Sequence, residues 1–119
     1  MPSNSSRPLT PHETECLNAL GQMLSRDVSH HILLNKMGRE FGIAPYRLSH
    51  GFKMLFGVTI HEYSMCKKME CAKKLLEQNN SIRDVAFITG YAGVSYFTFC
   101  FKNYWGITPG VFKKNALFF

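Results

Sequence analysis

Several patterns that mark enzymes, metal proteins and membrane proteins are missing from this sequence of 119 residues. Its four cysteines (Cys16, Cys66, Cys71 and Cys100) include no C-x-x-C pair, so a zinc site is not expected. No apolar run is long enough to cross a bilayer. There is no nucleophile–base pair, paired carboxylate motif or phosphate-binding loop. The sequence therefore predicts a cytosolic protein that is not an enzyme, needs no metal or other cofactor, and keeps its cysteines reduced and mostly buried.

Acidic residues are also scarce. The chain has 14 Lys and Arg against 8 Asp and Glu, a net charge of +6, and no acidic residue after Asp84. This excess favours an anionic partner, with nucleic acid ahead of a membrane. Residues 1–10 lack the apolar segment of a secretory signal and are predicted to be a disordered leader or a linker remnant.

Apolar residues recur at spacings of three and four, and strand signals are few, so the predicted fold is all-α with about seven helices. Capping boxes at Thr10–Glu13 and Thr59–Glu62 begin two of them. The predicted helices cover 11–26, 31–41, 45–56, 60–78, 82–90, 94–105 and a short stretch from 109. The residues expected on buried faces include Ile32 in the second helix, Leu48, Phe52, Leu55 and Phe56 in the third, and Phe97, Phe101, Tyr104 and Trp105 in the sixth.

One segment occurs twice. The segment from Phe52 to Thr59 matches the segment from Phe101 to Thr108, which lies 49 residues further on. Upstream the offset is 48, as between Gly42 and Gly90. Each copy contains a helix, a glycine turn and a second helix, as in a helix-turn-helix. The predicted domain at 11–119 thus has two such units, at about 11–58 and 79–114, joined by a linker helix at about 60–78.

In a helix-turn-helix the second helix enters the major groove of DNA. Two such helices in one chain could enter successive grooves, about 34 Å apart, without dimerisation. Helical spacing places Tyr46, Arg47, His50 and Lys53 on the outer side of the third helix. Ser95, Thr98, Phe99 and Lys102 lie on the outer side of the sixth.

A set of residues in the second unit resembles the DNA-binding domain of the AraC/XylS transcription regulators. The set comprises Ile82, Val85-Ala86, Gly90-Tyr91, Ser95-Tyr96-Phe97, Phe101-Lys102, Gly106 and Thr108-Pro109. The resemblance covers about 17–114 and implies seven helices, a role as a bacterial transcription regulator, commonly an activator, and base reading by the third and sixth helices. The DNA-binding residues it implies are Pro45, Tyr46, Arg47, Ser49, His50 and Lys53, then Val94, Ser95, Tyr96, Thr98, Phe99 and Lys102.

The chain departs from the family pattern at several positions. The family usually has arginine where His50 and Phe99 stand, and arginine is the side chain best suited to bidentate contact with guanine. An outward Phe99 could meet a thymine methyl group or bind another protein. Gly38 replaces the usual alanine of the second helix, and Gly51 lies inside the third at an expected cost of about 0.5–1 kcal/mol relative to alanine.

The leading hypothesis is a sequence-specific, nucleoid-associated regulator whose partner is double-stranded DNA, with RNA polymerase as a candidate second partner. Family members usually carry a separate effector or dimerisation domain. The chain is therefore expected to be an excised C-terminal domain or a small stand-alone regulator, a monomer on DNA unless an additional domain dimerises it. The alternative is a protein-interaction module that has lost base readout.

Overall fold

The computed structural model describes residues 7–29 and 34–116. Within them the chain forms seven helices and no strand, which confirms the all-α prediction. The start predicted for the second helix, with Ile32, lies outside the described residues. The helices are α1 (Pro11–Arg26), α2 (Leu34–Phe41), α3 (Pro45–Phe56), α4 (Ile60–Glu77), α5 (Ile82–Ile88), α6 (Val94–Trp105) and α7 (Pro109–Ala116).

The chain divides into two compact units, residues 1–64 and 65–119. The division falls between Ser64 and Met65, inside α4. The helix predicted as a separate linker therefore contributes its first turn to the first unit and its remaining turns to the core of the second.

In the first unit, α3 packs against both α1 and α2. Five fully buried side chains form the centre of its core: Leu17, Leu20, Leu24, Leu48 and Phe52. The ring of Phe56 lies against Gly21, where an added Cβ would come within 2.7 Å of the ring.

In the second unit, α5 and α7 pack against α6, and α4 lines the same core. Its fully buried members include Met69, Leu76, Val85, Phe97 and Phe101. The indole N–H of Trp105 donates a hydrogen bond to the carbonyl of Met69 at 3.2 Å. The ammonium group of Lys73 lies 4.6 Å from the centre of the indole ring, an arrangement that stabilises the cation by cation–π attraction.

Both helix-turn-helix turns need glycine for the same reason. Gly42 and Gly90, which follow α2 and α5, have φ of 69° and 92°, the left-handed conformation that costs glycine least. The two second helices also end alike, because Gly57 and Gly106 have φ of 80° and 85° and each donates its N–H to a carbonyl four residues earlier. The repeat seen in the sequence is therefore a repeat of backbone conformation.

Two residues predicted to be buried are not. Leu55 and Tyr104 are 38% and 40% exposed, and they lie 49 residues apart, at the same place in the last turn of α3 and of α6. In both helices the next residue takes the packing position, Phe56 against Gly21 and Trp105 against Met69. The Tyr104 hydroxyl instead interacts with the Cys66 thiol, which raises the pKa of Tyr104 to about 12.

Candidate nucleic-acid interface

The outer face of α3 is polar and aromatic. Tyr46 is 56% exposed, Ser49 and Lys53 are exposed, and Pro45 and His50 are half-buried. The rings of Tyr46 and His50 stack, with centroids 6.0 Å apart and planes 13° from parallel. These five predicted residues share one accessible surface, with the charge of Lys53 in the last turn.

Arg47 does not belong to this surface, so the prediction that it faces the groove is wrong. It is 3% exposed, and its guanidinium bonds the Glu13 carboxylate through Nε at 2.9 Å and through Nη2 at 3.0 Å. It also donates to the carbonyls of Arg7 and Pro8, at 3.2 and 3.1 Å. The physical reason is the buried carboxylate, since a guanidinium provides donors in the geometry that a carboxylate accepts.

Glu13 joins the start of α1 to α3. Besides binding Arg47, its carboxylate accepts the backbone N–H of Thr10 at 2.9 Å, completing the capping box, and pairs with Arg7 at 3.2 Å. Hydrogen bonding from Arg47 is the main reason that the pKa of Glu13 lies far below its usual range. Of the leader predicted to be disordered, residues 1–6 lie outside the described residues. Arg7, Pro8 and Thr10 are hydrogen-bonded into the first unit and Leu9 packs against its core, so for these four residues the prediction is corrected.

The outer face of α6 carries more apolar surface. Val94, Tyr96 and Phe99 are 41%, 63% and 61% exposed. Ser95 and Lys102 are also exposed, and Thr98 is half-buried. Phe97 and Phe101, on the opposite side, are fully buried, as predicted.

Three aromatic side chains form a connected series that we call the aromatic ridge: Tyr91, Tyr96 and Phe99. Tyr91 is buried in the turn between α5 and α6, and its ring centre lies 5.8 Å from that of Tyr96. Tyr96 in turn stacks with Phe99, at 6.4 Å and 18° between planes. A hydrogen bond with Cys100 raises the pKa of Tyr96. The ridge therefore connects an exposed ring to the packed core.

The repeat in the sequence extends beyond the two helix-turn-helix segments to the start of the helix that precedes each of them. Thr10-Pro11-His12-Glu13 and Thr59-Ile60-His61-Glu62 lie 49 residues apart, the offset that relates α3 to α6. The two capping boxes thus mark α1 and α4 as equivalent helices. Glu62 is exposed, however, whereas Glu13 is buried, so the ion pair of the first unit could not be found by comparison with the second.

Other kinds of site find no support in the part of the chain that the structure describes. No group of three or more His, Cys, Asp or Glu side chains there could hold a metal ion. None of the helices described is both long and apolar enough to cross a membrane. The four cysteines are free thiols.

The two units, each with a glycine turn followed by a helix with an accessible outer face, define a tandem helix-turn-helix protein. A family model described as a helix-turn-helix domain matches residues 37–115. The probable transcription factor PqrA of Proteus vulgaris is 32% identical over 86 residues, which are 71% of this chain and 70% of PqrA. The chain therefore belongs to the AraC/XylS family of transcription regulators.

Other relatives are longer than this chain. The bifunctional transcriptional activator and DNA repair enzyme AdaA of Bacillus subtilis is 27% identical over 116 residues, 97% of this chain but 53% of AdaA. The chain thus spans about half the length of that relative. It spans 23% of the xylose operon regulatory protein of Haemophilus influenzae, to which it is 31% identical over 88 residues.

Solved structures show the same fold. The C-terminal domain of the two-component response regulator YesN from Fusobacterium nucleatum has a TM-score of 0.69 at 27% identity, covering 87% of this chain and 99% of that domain. The DNA-binding domain of AdpA, solved with a target DNA, has a TM-score of 0.75 at 15% identity, covering 83% of this chain and 90% of that domain. At that identity, the likeness to AdpA shows the fold alone.

Proposed function

We propose that this chain binds double-stranded DNA at specific sequences, with α3 and α6 as recognition helices in successive major grooves, and that it activates transcription without catalysing a reaction. The observation that carries the proposal is the pair of accessible helix faces that end in lysines at equivalent positions. Lys53 and Lys102 are both exposed and lie 49 residues apart. A net charge of +6 adds attraction for the phosphate backbone. That AdpA, with the same fold, was solved on a target DNA also supports the proposal.

The electrostatic part of the proposal predicts a steep salt dependence. If about four to six phosphates are neutralised, log K should fall against log salt with a slope of about −4 to −5. The measurement is a fluorescence anisotropy titration of a labelled duplex at several salt concentrations. Duplex binding with a flat salt dependence would contradict it.

Single lysine variants localise the contact. Lys53→Ala and Lys102→Ala should each reduce the magnitude of the slope by about one, the effect of losing one phosphate contact. Lys74→Ala is the matched control, because Lys74 is exposed on α4, outside both recognition helices. If all three variants changed the slope equally, the two recognition helices would not be the phosphate-binding elements.

A protein-interaction module is the second candidate function. Phe87 on α5 is 82% exposed and its neighbour Ile88 is 45% exposed, and apolar side chains exposed in this way favour protein contacts. RNA polymerase is the partner that we expect a transcription activator to bind through such side chains. Phe87→Ala should then lower activation of a reporter gene while leaving duplex affinity unchanged. If the variant activated as well as the parent, the exposed side chain of Phe87 would not support this candidate function.

A further inference from the structure

The centre of the α6 recognition face is apolar. At about 100° per residue, Ser95, Phe99 and Lys102 fall within about 60° of one another around the helix. Phe99 lies in the middle of this stripe and is 61% exposed. The sequence of α6, VSYFTFCFKNYW, contains no charged residue before Lys102. The turns that would lie deepest in a groove therefore present rings and hydroxyl groups instead of cations.

The exposed ring of Phe99 is held by its neighbours. It stacks with Tyr96, which contacts Tyr91, and Tyr91 packs edge-on against the fully buried Phe97 with ring centres 5.4 Å apart. A ring held in place in this way loses little side-chain entropy when a ligand covers it. The aromatic ridge is therefore organised for contact before any partner arrives.

The first recognition helix differs at the equivalent position. His50, 49 residues before Phe99, has ring nitrogens that can donate or accept hydrogen bonds, and Ser49 beside it is exposed. The phenyl ring of Phe99 has neither donor nor acceptor. Among the groups that base pairs present in the major groove, the apolar one is the C5-methyl of thymine.

We infer that the aromatic ridge reads thymine methyl groups, so that the half-site under α6 is selected by apolar contact and the half-site under α3 by hydrogen bonds. The inference rests on the proposed function and names the base that the second unit recognises. The half-site under α6 is thymine-rich as a result. Lys102, at the end of the same stripe, supplies the phosphate contact that keeps α6 in the groove.

Uracil substitution tests this directly, since uracil pairs like thymine and lacks only the methyl group. A preferred duplex is first selected from a randomised pool with the whole chain. It is then made with thymine or with uracil, one half-site at a time, and titrated. Uracil in the half-site under α6 should lower affinity about fourfold for each contacted methyl group that is removed. Uracil in the half-site under α3 should leave affinity unchanged.

Variants link the effect to the ridge. Phe99→Ala should bind the thymine duplex about as weakly as the parent binds the uracil duplex, and should lose its sensitivity to uracil. Phe99→Leu keeps an apolar side chain and should retain part of that sensitivity. Phe87→Ala is the matched control for the titrations, because Phe87 is an equally apolar, 82% exposed residue on α5. Its affinity for the thymine and uracil duplexes should equal that of the parent.

Equal affinity of the parent for the thymine and uracil duplexes would overturn the inference while leaving sequence-specific binding intact. If Phe99→Ala also lost reporter activation but not DNA affinity, the ridge would be a surface for a protein partner. A preferred duplex without thymine in either half-site would also overturn the inference alone. Failure to select any preferred duplex would overturn the proposed function, and the inference with it.

Discussion

At the scale of single residues, Glu13 is the side chain that fixes α3 to the start of α1. It is 6% exposed, and its carboxylate receives hydrogen bonds from Arg47, Thr10 and Arg7. Glu13→Gln keeps the reach needed for the capping box but leaves the guanidinium of Arg47 buried without a counter-charge. Removing one member of a buried pair costs about 3–5 kcal/mol, so we expect a loss of about 3 kcal/mol in the free energy of unfolding, measured by urea denaturation.

The second capping box provides the control for that change. Glu62 accepts the N–H of Thr59 at 3.4 Å in the same motif, but it is exposed. Glu62→Gln should therefore change the free energy of unfolding by less than about 0.5 kcal/mol, as is usual at the surface. Equal losses for the two variants would show that the capping box, and not the buried pair, stabilises the first unit.

Glu13 also gives stability a defined pH dependence. Because the Arg47 guanidinium holds the pKa of Glu13 below its ordinary value, the folded state binds fewer protons than the unfolded state in acid. The contribution of Glu13 is complete above the ordinary pKa of about 4.5 and is lost progressively as pH falls below it. The thermal midpoint should thus fall more steeply below pH 5 in the parent than in Glu13→Gln. Parallel profiles would contradict this role.

Phe99, on the outer face of α6, provides a test of DNA binding by the second unit. Because the ring is 61% exposed, Phe99→Arg should keep the thermal midpoint within a few degrees, as surface changes usually do. The added cation should tighten binding to duplex DNA generally, as measured by anisotropy. We expect Phe99→Arg to bind more tightly than the parent and to bind the thymine and uracil duplexes with equal affinity. An unfolded variant would show that Phe99 belongs to the core. A folded variant with unchanged affinity would show that α6 does not lie in a groove.

These residues also show what the sequence could and could not predict. Helical spacing placed Phe97 and Phe101 inside and Phe99 outside, because the angle around the axis decides between core and solvent. The same spacing placed Arg47 outside, since its angle is intermediate and its partner lies 34 residues away in α1. A contact between distant helices leaves no local pattern, and the spacing around Glu13 indicates only a capping box.

At the scale of the element, the turn after α2 depends on a residue that is unusual within a helix. Gly38 accepts the N–H of Ile43 at 2.9 Å, and an added Cβ would lie 2.6 Å from the Ile43 carbonyl oxygen. Gly38→Ala should therefore destabilise the chain, although alanine is the better helix former and the usual family residue here. The thermal midpoint measures the effect.

Gly110 is the matched glycine for this test. It lies in α7, and a Cβ there would meet the Ile82 side chain at 3.8 Å, an ordinary van der Waals distance. Gly110→Ala should therefore raise stability, by up to about 1 kcal/mol. If Gly38→Ala raised it as well, the close approach at the turn would not be a constraint.

Helix ends were predicted well because their signals are local. Pro11 and Pro45 begin α1 and α3, and a glycine ends α3 and α6. In each case the residue that starts or stops the helix lies at the helix end itself. Gly51 shows the limit of that approach. An added Cβ there would lie 2.9 Å from Leu9 and 3.0 Å from Leu17, so its use reflects close packing that helix propensity alone does not predict.

At the scale of the whole molecule, the chain contains two versions of one unit that differ at equivalent positions. Arg47 is buried against α1, whereas Tyr96, 49 residues later, is 63% exposed. His50 and Phe99 offer different chemistry on the outer faces of α3 and α6. The repeat predicted two units, and the differences within it predict that the two half-sites are read differently.

The most direct test of the central claim is a selection of binding sites from randomised duplex DNA with the whole purified chain. We predict enrichment of a bipartite site, with two non-identical blocks centred about one helical turn, or 10–10.5 base pairs, apart. The block that tolerates Phe99→Ala least should be the one rich in thymine. A single enriched block would contradict the use of both recognition helices, and no enrichment at all would contradict sequence-specific binding.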